Sequence, residues 1–140
     1  MPTENGAHCS FDMPSTHEIK WGFRASLTAG RAVTCNYTPS FVDGIGGKSV
    51  LAEMWPLVST LLDGALVVSL EEVASAIRTL AQRVRVVAEG AGAASVAAAL
   101  KGVPHGQRIV CVVSGGNLDS AKLARILLEE TAELLGRERQ

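Results

Sequence analysis

Apolar positions change their period several times along the 140 residues, and each change marks an expected element. Residues 1–32 are polar and irregular, broken by Pro2, Gly6 and Pro14. Within them, Ser15-Thr16-His17-Glu18 has the form of a capping box, whose two side chains each satisfy an amide at a helix start. A helix is therefore expected over His17–Ala29, with Gly30 as its stop. Val33–Val42 is β-prone but holds Pro39, so any strand there is short. After the glycine-rich loop Asp43–Ser49, Pro56 suits the first turn of a helix running to about Leu62, where a missing N–H costs nothing. Asp63-Gly64 is a turn and Ala65–Val68 a short apolar strand.

Ser69-Leu70-Glu71-Glu72 is a second capping box, and the helix behind it puts Val73, Ile77, Leu80 and Ala81 on one face. Arg83–Ala88 is either a strand or the end of that helix followed by a turn. Glu89–Leu100 is a small-residue helix, stopped by Gly102 and Pro104. Ile109–Val113 is a continuous apolar run of the kind buried on both faces of a parallel sheet. Ser114-Gly115-Gly116-Asn117 is a turn, Asp119 can cap an amphipathic helix to about Leu135, and residues 136–140 form a solvated tail. Strands alternating with helices in this order indicate an α/β fold with a mostly parallel sheet. The chain divides into an irregular N-terminal segment with one helix, 1–32, and an α/β part, 33–140.

Composition narrows the function classes. Thirteen basic and 14 acidic residues leave a net charge of -1, which offers no basic stripe for nucleic acid. Hydrophobic residues make up 47% of the chain, too many for disorder. The mean hydropathy of +0.23 is high for a soluble domain, so part of the apolar surface is expected to serve a partner. The longest apolar run, Gly90–Leu100, falls short of the roughly 18 residues that a membrane helix needs. No basic region followed by an apolar one marks a signal peptide at the N-terminus. Cys9, Cys35 and Cys111 are widely spaced, with no paired motif for a disulfide framework or a zinc ribbon. Cys111 reads as a small core residue, and a reducing cytoplasm is the expected setting.

Several stretches invite a chemical reading, each with a plainer one beside it. Val42–Ser49 (VDGIGGKS) has the lysine, serine and later glycine of a phosphate loop, but valine stands where the first glycine must let the backbone wrap a phosphate. The plainer reading is a flexible loop with an exposed Lys48. Gly90-Ala91-Gly92 resembles half of a dinucleotide fingerprint, but Ser95 replaces its third glycine. Glu89 follows three apolar residues at a helix start, where the helix dipole favours the carboxylate; the alternative is a surface N-cap. Ser114 and two glycines lie beyond the end of an apolar strand, where α/β sheets bind ligands; the alternative is a simple turn. His8-Cys9 and His17 lack metal-ligand spacing, so no metal site is expected. Trp21, Phe23 and Trp55 read as packing residues.

Taken together, these segments resemble the C-terminal part of the catalytic domain of fold type II pyridoxal-phosphate (PLP) enzymes of the serine/threonine dehydratase family, which includes serine racemase and the threonine deaminases. The resembling text runs from Ser40–Ile45 (SFVDGI) through Trp55–Val58 (WPLV) and Val67–Val73 (VVSLEEV). It continues through Val86–Ala94 (VVAEGAGAA) to Val112–Asp119 (VVSGGNLD). Residues 33–119 match in motif order and spacing, and 24–32 more loosely. The resemblance implies a partial fold type II large domain, three-layer α/β, with a mostly parallel sheet flanked by helices. It also implies that Ser114 bonds the pyridine nitrogen of PLP. Glu89 is implied to lie beside the ring and help set its protonation, Gly44 to bring backbone against it, and Asn117 to orient the Ser114 turn.

A serine at the ring nitrogen makes a weaker electron sink than an aspartate, which suits loss of water from a β-hydroxy amino acid. The family reaction then hydrolyses the enamine to a 2-oxo acid and ammonia. The family's Schiff-base lysine, asparagine loop and glycine-rich phosphate loop precede the resembling region and have no counterpart here. Lys48 and Lys101 are read as loop residues, so no catalytic residue is assigned. The expected protein is thus a fragment or truncated homologue of an L-threonine/L-serine ammonia-lyase, inactive alone. It is expected to be covered by its own copies or by a complementing chain. The alternative is a non-catalytic small-molecule-binding or oligomeric interaction domain on the same scaffold.

Overall fold

A computed structural model of the chain describes residues 22–35, 39–45, 47–102 and 108–128. The chain divides into two compact units, Met1–Thr38 with Gly46–Val67 and Pro39–Ile45 with Val68–Gln140. The first contains α1 (Gly22–Ala29) and α2 (Trp55–Leu61). Ser26, buried in α1, donates to the Gly22 carbonyl (2.5 Å) and accepts the Val33 amide (2.9 Å), so one hydroxyl ties the helix to the chain that leaves it. Gly30, at φ +63°, stops α1 as expected. The capping box at 15–18 and the start of that helix lie outside the described residues. Cys35 donates its amide to the Lys48 carbonyl at 2.8 Å. In α2 proline stands in the first turn, and the helix buries none of its residues.

The second unit is built on α3 (Leu70–Thr79), whose capping box is present in full. Ser69 Oγ accepts the Glu72 amide at 3.1 Å, and Glu72 Oε2 accepts the Ser69 amide at 2.6 Å. Val73, Ile77 and Leu80 turn inward, with Ile77 fully buried. The helix continues past Thr79. It widens into a π-helical turn, Leu80–Val84, and closes on Arg85 in the left-handed region, whose successor Val86 donates to the Leu80 carbonyl. Of the two readings of 83–88, the end of a helix followed by a turn is the one observed.

Helix α4 (Gly90–Gly102) and α5 (Ser120–Leu127) both pack on α3. The buried Ala93, Ala94, Ala97 and Ala98 let α4 approach closely, because interaxial distance follows side-chain size. Asp119 caps α5 by accepting the Lys122 amide, and Ile126 is fully buried. The extension of α5 to Leu135 and the tail lie outside the described residues.

The expected strands are the main difference. Among the described residues, 65–68, 86–88 and 109–113 are extended or irregular chain without a strand ladder. Ile109–Val113, expected to be buried on both faces, is largely solvent-exposed: Val110 is 90% and Val112 72% accessible. Cys111 is half-buried rather than core. A strand exists through its neighbours, and an apolar run without them keeps its composition but neither its pairing nor its cover. No helix among the described residues is long and apolar enough to cross a membrane.

Candidate functional site

The N-terminus of α4 is where the singled-out residues of the second unit meet. Glu89 accepts the Ala93 amide through its carbonyl, the first bond of the helix, and so stands at the N-cap position. Its carboxylate reaches across the chain: Oε2 accepts the Asn117 amide at 3.2 Å. Its own amide donates to the Gly115 carbonyl at 3.3 Å. One residue thus holds the Ser114–Asn117 turn at both backbone and side chain.

Glycine is required in this arrangement. Gly115 lies at φ +73°, and a Cβ there would come 2.6 Å from Glu89 Oε1. At Gly44 a Cβ would stand 3.3 Å from the same oxygen and 2.9 Å from the Ala91 methyl. The half-buried Glu89 carboxylate therefore fills the space between loop 43–45 and turn 114–117. Gly44, Glu89, Gly115 and Asn117 are brought together, with Ser114 at the leading edge of the turn. Ser114 is exposed, and its hydroxyl has no hydrogen-bond partner among the described residues. Asn117 joins through its main-chain N–H rather than its side-chain amide.

Two residues of this site were not singled out for it. A Cβ on Gly92 would collide with the Ser114 carbonyl, so the first turn of α4 lies directly against the Ser114 turn. Ser95, read only as a fault in a dinucleotide pattern, donates Oγ to the Val112 carbonyl at 2.8 Å and accepts from Cys111 Sγ through its own carbonyl. The signal was the run of small residues 90–95, which permits the approach but does not name what approaches. Lys101 needs correction: it stands in the last turn of α4, not in a loop, and pairs with Glu72 at 3.1 Å. No group of three or more His, Cys, Asp or Glu residues that could hold a metal occurs among the described residues, and His8, Cys9 and His17 lie outside them.

A family model described as pyridoxal-phosphate dependent enzyme matches residues 22–115, a span that holds Gly44, Glu89, Gly92, Ser114 and Gly115. The chain belongs to this family. It is 40% identical over 104 residues to the L-threonine ammonia-lyase of Thermotoga maritima, an alignment covering 74% of this chain and 26% of that one. Among solved structures it is similar to a T.th. threonine deaminase, with TM-score 0.60 and 34% identity over 70% of this chain and 36% of that chain. It is also similar to maize serine racemase, with TM-score 0.65 and 27% identity over 78% of this chain and 36% of that chain. The chain is therefore a partial fold type II domain of the threonine deaminase and serine racemase kind, spanning about a quarter of the length of the curated relative.

At this site Gly44 and Gly115 bring backbone against the Glu89 carboxylate, and Ser114 offers an exposed hydroxyl at the edge of the turn, without a hydrogen-bond partner among the described residues.

Proposed function

We propose that this chain supplies the ring-nitrogen side of a PLP site in a catalytic domain of the L-threonine/L-serine ammonia-lyase kind, and that a chain carrying the family's lysine and phosphate loop completes it. The observation that carries this reading is the convergence of Gly44, Glu89 and the Ser114–Asn117 turn on the N-terminus of α4. When bound, PLP supplies the electron sink that lets a β-hydroxyl leave the amino acid.

In this reading Ser114 Oγ would bond the pyridine nitrogen without fixing a proton on it. Glu89 would lie beside the ring, Gly44 would bring backbone against it, and Asn117 would help orient the turn that presents Ser114. The 140 residues contain Lys20, Lys48, Lys101 and Lys122, none in the family's lysine segment. Lys101 is held in an ion pair with Glu72. The chain alone is accordingly inactive.

The exposed apolar run 109–113 supports a covered state, in which β-strands of a complementing chain or of further copies complete a three-layer, mostly parallel sheet. The cytoplasm is the matching compartment for such an enzyme.

Co-expression tests the proposal. This chain and a second chain bearing the upstream part of an L-threonine ammonia-lyase should co-purify. Together, and not singly, they should form a 2-oxo acid from L-threonine or L-serine. Turnover by this chain alone would overturn it.

A further inference from the structure

We propose that Glu89 is a positioning residue, a latch that sets the Ser114–Asn117 turn against α4 before any cofactor arrives. This deepens the proposed function and rests on it only where Ser114 is taken to face the cofactor ring.

The warrant is the way Glu89 uses its polar groups. A carboxylate at an N-cap position ordinarily accepts from amides of its own first turn. Here Oε2 accepts from Asn117, 28 residues downstream, while the Glu89 amide donates into the same turn at Gly115. The two bonds bracket Gly116 and fix both the position and the tilt of the turn. The other oxygen, Oε1, faces Gly44 and Gly115, where the lack of a Cβ leaves it room.

Other contacts hold the ends of the turn, Leu118 donating its amide to the Gly116 carbonyl and Ser95 its hydroxyl to the Val112 carbonyl, but only Glu89 bonds it at both Gly115 and Asn117 among the described residues. The turn is exposed, contains two glycines, and has Gly115 in a left-handed conformation, so an unlatched chain there would sample many states. A turn fixed beforehand presents the Ser114 hydroxyl at lower cost, since ordering it on binding would reduce affinity. The latch acts on a main-chain N–H, which assigns the Asn117 side chain no part in it.

Amide hydrogen exchange on the full 15N-labelled chain tests this without cofactor. In the unsubstituted chain the Asn117 amide should be protected although the residue is exposed. Glu89→Ala should speed its exchange about tenfold or more, the loss of one charged hydrogen bond, while the α3 amides of Val73 and Ile77 stay unchanged. Glu89→Gln, whose amide oxygen still accepts, should restore most of the protection, and Asn117→Ala should leave it intact.

An unprotected Asn117 amide in the unsubstituted chain would overturn the proposal whether or not the alanine variant folds. So would equal exchange in the unsubstituted and Glu89→Ala chains. A titration with pyridoxal phosphate of this chain in complex with the upstream part of an L-threonine ammonia-lyase separates the two readings. Shifts at the Ser114 amide that weaken in Glu89→Ala and return in Glu89→Gln support the positioning role. Shifts unchanged by Glu89→Ala would overturn that role. No shift at Ser114 beside a protected, Glu89-dependent Asn117 amide supports the latch and counts against the cofactor reading instead.

Discussion

Arg78 donates through Nη1 to the Ile126 carbonyl at 2.9 Å, across 48 residues of sequence. The bond reaches a carbonyl in the last described turn of α5 and ties that helix to α3. Arg78→Leu keeps the helix propensity and some of the stem packing but removes the donor. It should cost about 1–3 kcal/mol, as a charged, part-buried hydrogen bond does, read as a lower urea midpoint. An unchanged midpoint would mean that this bond does not help to hold α5.

Ser69 bears on the same unit from the other end of α3. Ser69→Ala removes the acceptor for the Glu72 amide and breaks the reciprocal pair of bonds. The expected loss is about 1 kcal/mol. Circular dichroism followed through urea denaturation should show it as a shifted midpoint with an unchanged slope.

Gly115→Ala should damage the turn more than its surface position suggests. The left-handed backbone already disfavours a side chain, and the added methyl would stand 2.6 Å from Glu89 Oε1. The carboxylate must move, so the Asn117 amide resonance should shift along with that of Gly115, at a cost of about 1–3 kcal/mol. A variant whose spectrum changes only at residue 115 would show that Glu89 and the turn are not coupled.

Val110 separates stability from association. At 90% exposure it contributes little to the core, so Val110→Lys should change the unfolding free energy by less than about 0.5 kcal/mol. The same charge in the middle of an apolar, unpaired run should oppose strand pairing. Light scattering at micromolar concentration should therefore find the parent chain associated and the variant shifted toward monomer. A cleanly monomeric parent would count against the covered state.

What the sequence made legible was local. Ser69 with Glu72, Asp119 with Lys122 and Gly30 after α1 were all readable, because each cap lies within a few residues of its partner. The Glu89–Asn117 bond was not. It joins residues 28 apart and ends on a backbone N–H, which every residue but proline carries, so no residue type marks it. Ser95 was misread for a related reason: a hydroxyl on a small-residue helix looks like a broken motif until Val112 lies against it.

The run 109–113 failed differently. Five consecutive apolar residues state what a segment needs in order to be buried, and the described residues do not meet that need. The family resemblance carries the order of motifs, whereas the contacts within the turn arise only once the chain is folded.

The most direct test of the central claim is an absorbance titration of pyridoxal phosphate against the 140-residue chain, followed by borohydride reduction and peptide mass spectrometry. The expected result is no saturable covalent adduct on Lys20, Lys48, Lys101 or Lys122, and no 2-oxo acid from L-threonine. A single lysine reduced in stoichiometric yield, with turnover of L-threonine by this chain alone, would contradict it.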